Sequence, residues 1–269
     1  MTRILTALIL AAIVIPAVKW APPWVWWALL LAAGIGAVVE LQGMLTRLGR
    51  APWMALSLAG TFAIALSIGF VPAAAPPLLT AVVLAALLVA LTASGPLAPR
   101  IDRVMGTLFV VAYLGLTGGY LGALGTVQLP GANDRGDMLI LAMMAVYVGD
   151  IFAFYGGRIF GRHKLAPVIS PKKTWEGAIA GLVGSVAGAL LAPLWFAQTL
   201  PVRHALALGL LLGSVGIAGD LAESLLKRAA EVKDSGALLP GHGGILDRVD
   251  SLLFAAPVLY SYYALFLAG

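Results

Sequence analysis

The stretch VMGTLFVVAYLGLTGGYLGALGTVQLPGAN, residues 104–133, contains no Asp, Glu, Lys or Arg. A helix that crosses a bilayer needs about 20 consecutive, mostly apolar residues, so this stretch is long enough to cross one. Residues 51–99 form a second uncharged run, which a Pro- and Gly-containing break divides into two segments. Because backbone polar groups in lipid must be satisfied within the protein, the fold class predicted from these runs is all-α.

The composition of the whole chain agrees with these two runs. Apolar residues make up 61% of the sequence and charged residues 11%, and the mean hydropathy is +0.99. A soluble domain carries about 25% charged residues, so a soluble globule and a disordered chain are both excluded. The absence of cysteine excludes disulfides, thiolate nucleophiles and Cys-ligated metal centres. We therefore expect a polytopic integral membrane helical bundle.

Proline, glycine and charged residues mark the boundaries of about nine predicted transmembrane helices. They lie near residues 4–20, 23–40, 53–70, 77–93, 104–124, 137–156, 177–196, 204–222 and 251–267. A cleaved signal peptide is the alternative for the first segment. A second hydrophobic span follows it without a good cleavage site between them, so we expect the first helix to be retained.

The basic residues are distributed unevenly between the two sides of this arrangement. Fourteen of the 17 Lys and Arg residues fall on the side of the N-terminus, and three fall on the other side. The positive-inside rule then predicts a cytoplasmic N-terminus, with the loops 156–177 and 224–250 also facing the cytoplasm. We predict two regions: residues 1–100 as N-terminal transmembrane helices without an assigned function, and residues 101–269 as a transmembrane catalytic region with these loops.

The second loop combines acids, bases and glycines in an ordered pattern. If the eighth helix continues into it, five polar residues share one helix face: Asp220, Glu223, Ser224, Lys227 and Arg228. A Pro-Gly-His-Gly-Gly turn follows at 240–244, and Asp247 and Asp250 open the last helix. Carboxylates beside cations and a glycine-rich turn suit a Mg²⁺-bound polyphosphate. The alternative is a solvated interfacial loop whose cations meet anionic lipid headgroups.

The first loop, 156–177, is basic and surrounds Ser170, Lys173 and Thr174. It could bind a phosphate monoester at the membrane surface, or it could be a cluster that only sets the topology. Glu40, near the end of the second predicted helix, is interpreted as snorkelling or paired rather than catalytic. No phosphate-binding P-loop, dinucleotide fingerprint or serine nucleophile elbow occurs in the chain.

The segment SLLKRAAEVKDSGALLPGHGGILDRVD, residues 224–250, resembles the signature of the phosphatidate cytidylyltransferase (CDP-diacylglycerol synthase) family. The pattern is S-x-apolar-K-R, four residues, K-D, then a spacer and H-G-G-apolar-x-D-R-apolar-D. All its fixed positions are present here: Ser224, Lys227, Arg228, Lys233, Asp234, His242, Gly243, Gly244, Asp247, Arg248 and Asp250. The loop 156–177 is also similar to the family. One departure is that Asp150 precedes Ile151, where members often carry a small hydroxyl residue.

The resemblance implies that CTP and phosphatidic acid react to give CDP-diacylglycerol and pyrophosphate. It implies Mg²⁺ as cofactor, with a monovalent cation such as K⁺ as a second candidate. The metal ligands would be Asp220 and Asp247, with Asp250 and Glu223 as further candidates. CTP phosphates would be bound by Ser224, Lys227, Arg228 and Arg248. Substrate contacts would come from Ser170, Lys173, Thr174, Lys233, His242, Gly243 and Gly244. For His242, an equal interpretation is that its side chain only packs within the turn.

The partners expected from this resemblance are CTP, phosphatidic acid, the lipid bilayer and a second copy of the chain in a homodimer. No nucleic-acid partner is indicated. The expected location is the inner (cytoplasmic) membrane, with the active site facing the cytoplasm. Two alternatives stay open: a CTP-dependent enzyme for another lipid, such as a CDP-archaeol synthase or a polyprenol kinase, and a transporter. Charges clustered on one side of the membrane, rather than near mid-span, argue against a transporter.

Overall fold

The computed structural model describes residues 12–130, 134–237 and 243–268. Its helices are α1 (residues 12–19 of the described chain), α2 (Pro23–Arg47), α3 (Met54–Phe70), α4 (Ala75–Thr92), α5 (Leu97–Val110), α6 (Thr117–Leu124), α7 (Asp137–Phe160), α8 (Trp175–Trp195), α9 (Val202–Ala229) and α10 (Leu246–Phe266). A 3₁₀ turn, Pro72–Ala74, precedes α4, and a π-helical turn, Val111–Leu116, joins α5 to α6. The strands β1 (Lys164–Ala166) and β2 (Ser170–Thr174) form an antiparallel hairpin.

The predicted fold class is confirmed. Among the described residues, seven helical segments are long and apolar enough to cross a membrane, and the 17-residue α3 is a shorter apolar helix. With α1, every predicted helix has a counterpart, although residues 4–11 of the first prediction lie outside the described residues. The predicted division at residue 100 stays a prediction.

Several helices extend further than their predicted bounds. α2 continues past residue 40 to Arg47, α7 continues past 156 to Phe160, and α9 continues past 222 to Ala229. Charged residues mark where a helix meets water, but they do not end the helix, because their backbone can still form the intrahelical bonds. Glycine ends two of these helices: Gly49, with a φ of 79°, follows α2, and Gly161 follows α7.

The chain separates into two compact units. The first unit comprises residues 1–13, 24–123 and 226–249, of which residues 1–11 and 238–242 lie outside the described residues. Its apolar core contains Ile64, Ile68, Val82 and Val111. Trp26 fixes α2 within the unit, because its indole N–H donates to the Gly122 carbonyl over 3.0 Å and its side chain is buried.

The second unit comprises residues 14–23, 124–225 and 250–269, with 131–133 and 269 outside the described residues. Helices α7 and α8 pack closely through Gly177, Gly181, Gly184 and Gly188, whose spacing of three or four residues puts them on one face of α8. A Cβ at position 188 would lie 2.5 Å from the Met144 carbonyl oxygen, so the backbones approach too closely for a side chain. This packing fixes the start of α8 against the end of α7.

Candidate functional site

Helix α9 carries Asp220 and Glu223 and the first residues of the sequence signature. It is continuous from Val202 to Ala229, which confirms that the eighth predicted helix runs on into the charged segment. The Ser224 hydroxyl donates to Asp220 Oδ1 over 3.3 Å, as expected for residues one turn apart on the same face. Glu223, which was predicted to lie on this face, is fully buried.

Acidic groups from three helices and one lysine from the hairpin meet in the second unit. The Lys173 ammonium lies 2.6 Å from Asp220 Oδ2. Asp150, in the middle of α7, is close enough to Asp220, Asp250 and Lys173 for electrostatic interaction with them. We call Asp150, Lys173, Asp220 and Asp250 the carboxylate cluster. Carboxylates that lie near one another repel, and a bound cation would relieve that repulsion.

The donor set of the carboxylate cluster fits a hard divalent metal, although no group of three or more metal-ligating side chains is assembled among the described residues. Mg²⁺ is commonly held by only one or two carboxylates, with water and substrate phosphates completing its octahedral shell. Two carboxylates are therefore enough in number for such a site. The predicted ligands do not all lie in one unit, since Asp247 belongs to the first unit and the others to the second.

The hairpin that presents Lys173 is held in place by Glu176, at the start of α8. Its carboxylate accepts bonds from the Arg162 N–H over 3.1 Å and from the His163 N–H over 3.2 Å, and it lies 2.6 Å from His163 Nδ1. The Thr174 hydroxyl accepts from the Gly177 N–H over 3.1 Å and caps the same helix. Thr174 is buried, and its hydroxyl is used to cap α8. Ser170, at the start of β2, is half-buried.

In the first unit, Asp247 organises the segment between α9 and α10, which we call the signature loop (residues 232–246, described at 232–237 and 243–246). Its Oδ2 accepts from the Ser235 N–H and hydroxyl, both over 2.9 Å, and from the Gly244 N–H over 2.8 Å. Its Oδ1 lies 2.6 Å from the Lys227 ammonium, and both side chains are largely buried, at 7% and 12% exposure. These bonds predict that Asp247 orients Lys227 for an anionic ligand.

The remaining predicted residues are three exposed basic side chains, two glycines of the signature loop and a histidine outside the described residues. Arg228, Lys233 and Arg248 are exposed, which leaves their charged groups accessible to solvent. Gly243 has a φ of 78°, a conformation that glycine adopts without strain, and Gly244 is buried. His242 lies outside the described residues, so its predicted role stays a prediction.

Sequence reasoning missed one residue of this region. Glu40 of α2 is 6% exposed, accepts hydrogen bonds from the Ile245 and Leu246 N–H groups, and lies with its Oε2 3.0 Å from the Ser235 hydroxyl. The sequence interpretation was a snorkelling or paired side chain; among the described residues, Glu40 is buried and its partners are backbone and hydroxyl groups of the loop. The available signal was an acid within a long apolar helix, where an ionisable residue indicates a specific partner.

Comparison with known proteins places these residues in a family context. The family model described as "Cytidylyltransferase family" matches residues 1–266 of the chain. Phosphatidate cytidylyltransferase of Brucella abortus is 48% identical over 149 residues, which cover 54% of this chain and 53% of the relative. Phosphatidate cytidylyltransferase of Synechocystis sp. is 48% identical over 130 residues, covering 48% of this chain and 43% of the relative.

A plant relative shows a similar degree of sequence identity. The chloroplastic phosphatidate cytidylyltransferase 4 of Arabidopsis thaliana is 48% identical over 123 residues, covering 46% of this chain and 31% of the relative. The aligned part thus spans between a third and about half of the length of these relatives.

Proposed function

The chain belongs to the cytidylyltransferase family, and we propose that it transfers CMP from CTP to phosphatidic acid, giving CDP-diacylglycerol and pyrophosphate for phospholipid biosynthesis. The similar proteins named above carry the name of this activity. The geometric observation that supports the proposal best is the carboxylate cluster, in which Lys173 lies 2.6 Å from Asp220. Carboxylates for a metal and a cation for a phosphate are the groups that this transfer requires.

The reaction needs no nucleophile from the protein. An oxygen of the lipid phosphate, already anionic at neutral pH, forms a bond to the α-phosphorus of CTP. The bond between that phosphorus and the bridging oxygen breaks, and pyrophosphate leaves with the electron pair. Catalysis then rests on positioning and on neutralising phosphate charge.

We assign the cationic groups to these two tasks. Lys173, with Ser170 in the same strand, binds substrate phosphate at the hairpin, and the predicted contact from Thr174 is limited to holding the end of that strand against α8. Ser224, Lys227, Arg228 and Arg248 bind the phosphates of CTP, and Lys233, His242, Gly243 and Gly244 add contacts from the signature loop. Lysine acts as a point charge, whereas arginine can bind two phosphate oxygens at once.

The family is generally metal-dependent, and we propose Mg²⁺ as the metal and K⁺ as an accessory cation. Asp220 and Asp250 would hold Mg²⁺, with Glu223 and Asp247 as further candidates. We place Asp220 and Asp250 first because both belong to the second unit with Asp150 and Lys173, whereas Asp247 belongs to the first unit. When bound, the metal supplies charge neutralisation at the CTP phosphates.

The experiment that tests the function uses the full-length protein purified in detergent with labelled CTP and phosphatidate. We expect equal amounts of CDP-lipid and pyrophosphate. Release of CDP with phosphorylation of a polyprenol would indicate a lipid kinase, and acceptance of an ether lipid in place of phosphatidate would indicate a CDP-archaeol synthase. Absence of any CTP turnover would contradict the proposal and favour a transporter.

Removal of the metal should abolish activity. We expect no turnover in EDTA and full recovery with Mg²⁺, because without a cation the carboxylates would repel the phosphates of CTP. Ca²⁺ should substitute poorly, since it is larger and tolerates irregular coordination. Initial rates at buffered free metal concentrations check this, and undiminished activity in excess chelator would contradict the metal assignment.

The membrane orientation gives a further prediction. A cysteine that replaces Lys172 or Ala237 should react with an impermeant maleimide only from the cytoplasmic side, and one that replaces Gly131 only from the outer side. The chain has no natural cysteine, so each variant carries a single reactive thiol. Labelling of position 237 in intact cells would overturn the orientation. The inner-membrane location and the homodimer stay predictions as well.

A further inference from the structure

The N-terminal half of the chain supplies a buried acid to the signature loop. Glu40 lies on α2. Within ten residues on either side, the basic residues in the sequence are Arg47 and Arg50. With 6% exposure the side chain has lost most of its contact with solvent. Burying a carboxylate is unfavourable unless it is hydrogen-bonded, so its bonds to the loop are the reason it can be accommodated.

The bonds of Glu40 go to the start of α10 and to Ser235. Oε1 accepts from the Ile245 N–H over 2.9 Å, and Oε2 accepts from the Leu246 N–H over 2.9 Å. These amides belong to the first turn of a helix, where backbone N–H groups lack intrahelical acceptors and a negative charge is favoured. Glu40 therefore caps α10 from another helix.

Two glycines allow the loop to approach this carboxylate. A Cβ at position 236 would lie 2.6 Å from Glu40 Oε1, and a Cβ at position 244 would lie 2.4 Å from Oε2. Both distances are too short for a real side-chain carbon. The loop backbone is thus packed directly on Glu40, and any larger residue at 236 or 244 would displace it.

A continuous chain of contacts leads from Glu40 to Lys227. The Ser235 hydroxyl lies 3.0 Å from Glu40 Oε2 and 2.9 Å from Asp247 Oδ2. Asp247 in turn lies 2.6 Å from the Lys227 ammonium. All these residues belong to the first unit. Because Ser235 and Gly244 contact both carboxylates, a shift of the loop away from Glu40 would also move Asp247.

From these contacts we infer that Glu40 is a positioning residue for the reaction. It holds the signature loop in the conformation in which Asp247 orients Lys227 toward the CTP phosphates. The inference rests on the proposed function, because the binding of CTP is the reason that we give for the orientation of Lys227. It also gives a role to part of the region 1–100, to which the sequence assigned none.

The first test compares Glu40→Gln with a control on the same helix. The amide of Gln presents a donor where the carboxylate accepted, so the loop loses at least one bond while the size of the side chain is kept. We expect kcat/KM for CTP to fall by about 10- to 100-fold, with a higher KM for CTP and an unchanged KM for phosphatidate. Loss of folded protein alone would lower the apparent kcat and leave both KM values unchanged.

Gln42 supplies the matched control. It is also buried on α2, and its Nε2 donates to the Pro52 carbonyl over 2.7 Å, away from the loop. Gln42→Leu removes a buried hydrogen bond of the same helix, so we expect a lower Tm with kcat/KM within about twofold of the wild type. An equal effect of Gln42→Leu and Glu40→Gln on the KM for CTP would overturn the inference.

A double-mutant cycle separates positioning from general stability. If Glu40 acts through Lys227, the variant Glu40→Gln/Lys227→Gln should be only as impaired as Lys227→Gln, because the group to be positioned is already absent. Two independent defects would instead multiply. A double variant impaired by the product of the two single losses would therefore contradict the inference.

Hydrogen exchange tests the contact without any substrate. In the full-length protein, peptides that cover residues 243–249 should exchange faster in Glu40→Gln than in the wild type and in Gln42→Leu. If the wild type does not convert CTP and phosphatidate, the proposed function fails while this measurement still tests the loop contact. Unchanged exchange, or faster exchange with unchanged kinetics, would overturn the role of Glu40.

Discussion

Replacing Asp247 with Asn should lower the turnover number by at least about 100-fold. The carboxylate accepts from four donors, and Asn keeps only one acceptor oxygen, so its NH₂ group must face either Lys227 or the loop amides. Breaking a largely buried ion pair costs about 3–5 kcal/mol. Each ~1.4 kcal/mol that is lost from the transition state is a factor of about ten in rate.

The measurement is kcat for CDP-lipid formation, together with the amount of protein in the membrane. Asp102→Asn is the matched control, because Asp102 is an acid of the same unit whose Oδ1 lies 3.8 Å from Arg50 Nε at the surface. We expect its kcat to change by no more than about twofold, as exposed pairs contribute little. A correctly inserted Asp247→Asn variant with a near-normal rate would contradict the role assigned to this loop.

The second large effect is expected for Asp220→Asn. Asp220 joins the hairpin to α9 through Lys173 and is a proposed metal ligand, so the neutral amide loses both interactions. We expect kcat to fall by about 100-fold and the Mg²⁺ concentration for half-maximal activity to rise, because metal charge stabilisation is worth several kcal/mol. A Mg²⁺ titration of initial rates measures both quantities.

Two controls isolate this effect. Glu231→Gln removes an exposed acid beyond the end of α9 and should leave the titration unchanged. In β2, neighbouring side chains point to opposite faces, so Lys173→Gln should impair turnover whereas Lys172→Gln should not. An Asp220→Asn variant with normal Mg²⁺ dependence would remove Asp220 from the metal site.

Much of the candidate site could be predicted because its residues are close together in sequence. The face shared by Asp220 and Ser224 follows from helix periodicity alone, and the structure extends α9 through it. The β-hairpin was not predicted, since the loop 156–177 lacks the alternation of apolar and polar residues that identifies strands. Its conformation depends on Glu176, which binds the backbone of residues 162 and 163.

The sequence by itself determined the membrane fold class, the approximate positions of the apolar helical segments and the residues of the signature. These properties depend on apolar run length and on spacing along one chain, which are local. Only the tertiary structure decided what each acid does. Asp220 pairs with a lysine 47 positions earlier, and Glu40 binds amides that lie 205 and 206 positions later. The partner of a buried charge is set by which backbone and side-chain groups packing brings within about 3 Å, and no local pattern encodes that distance.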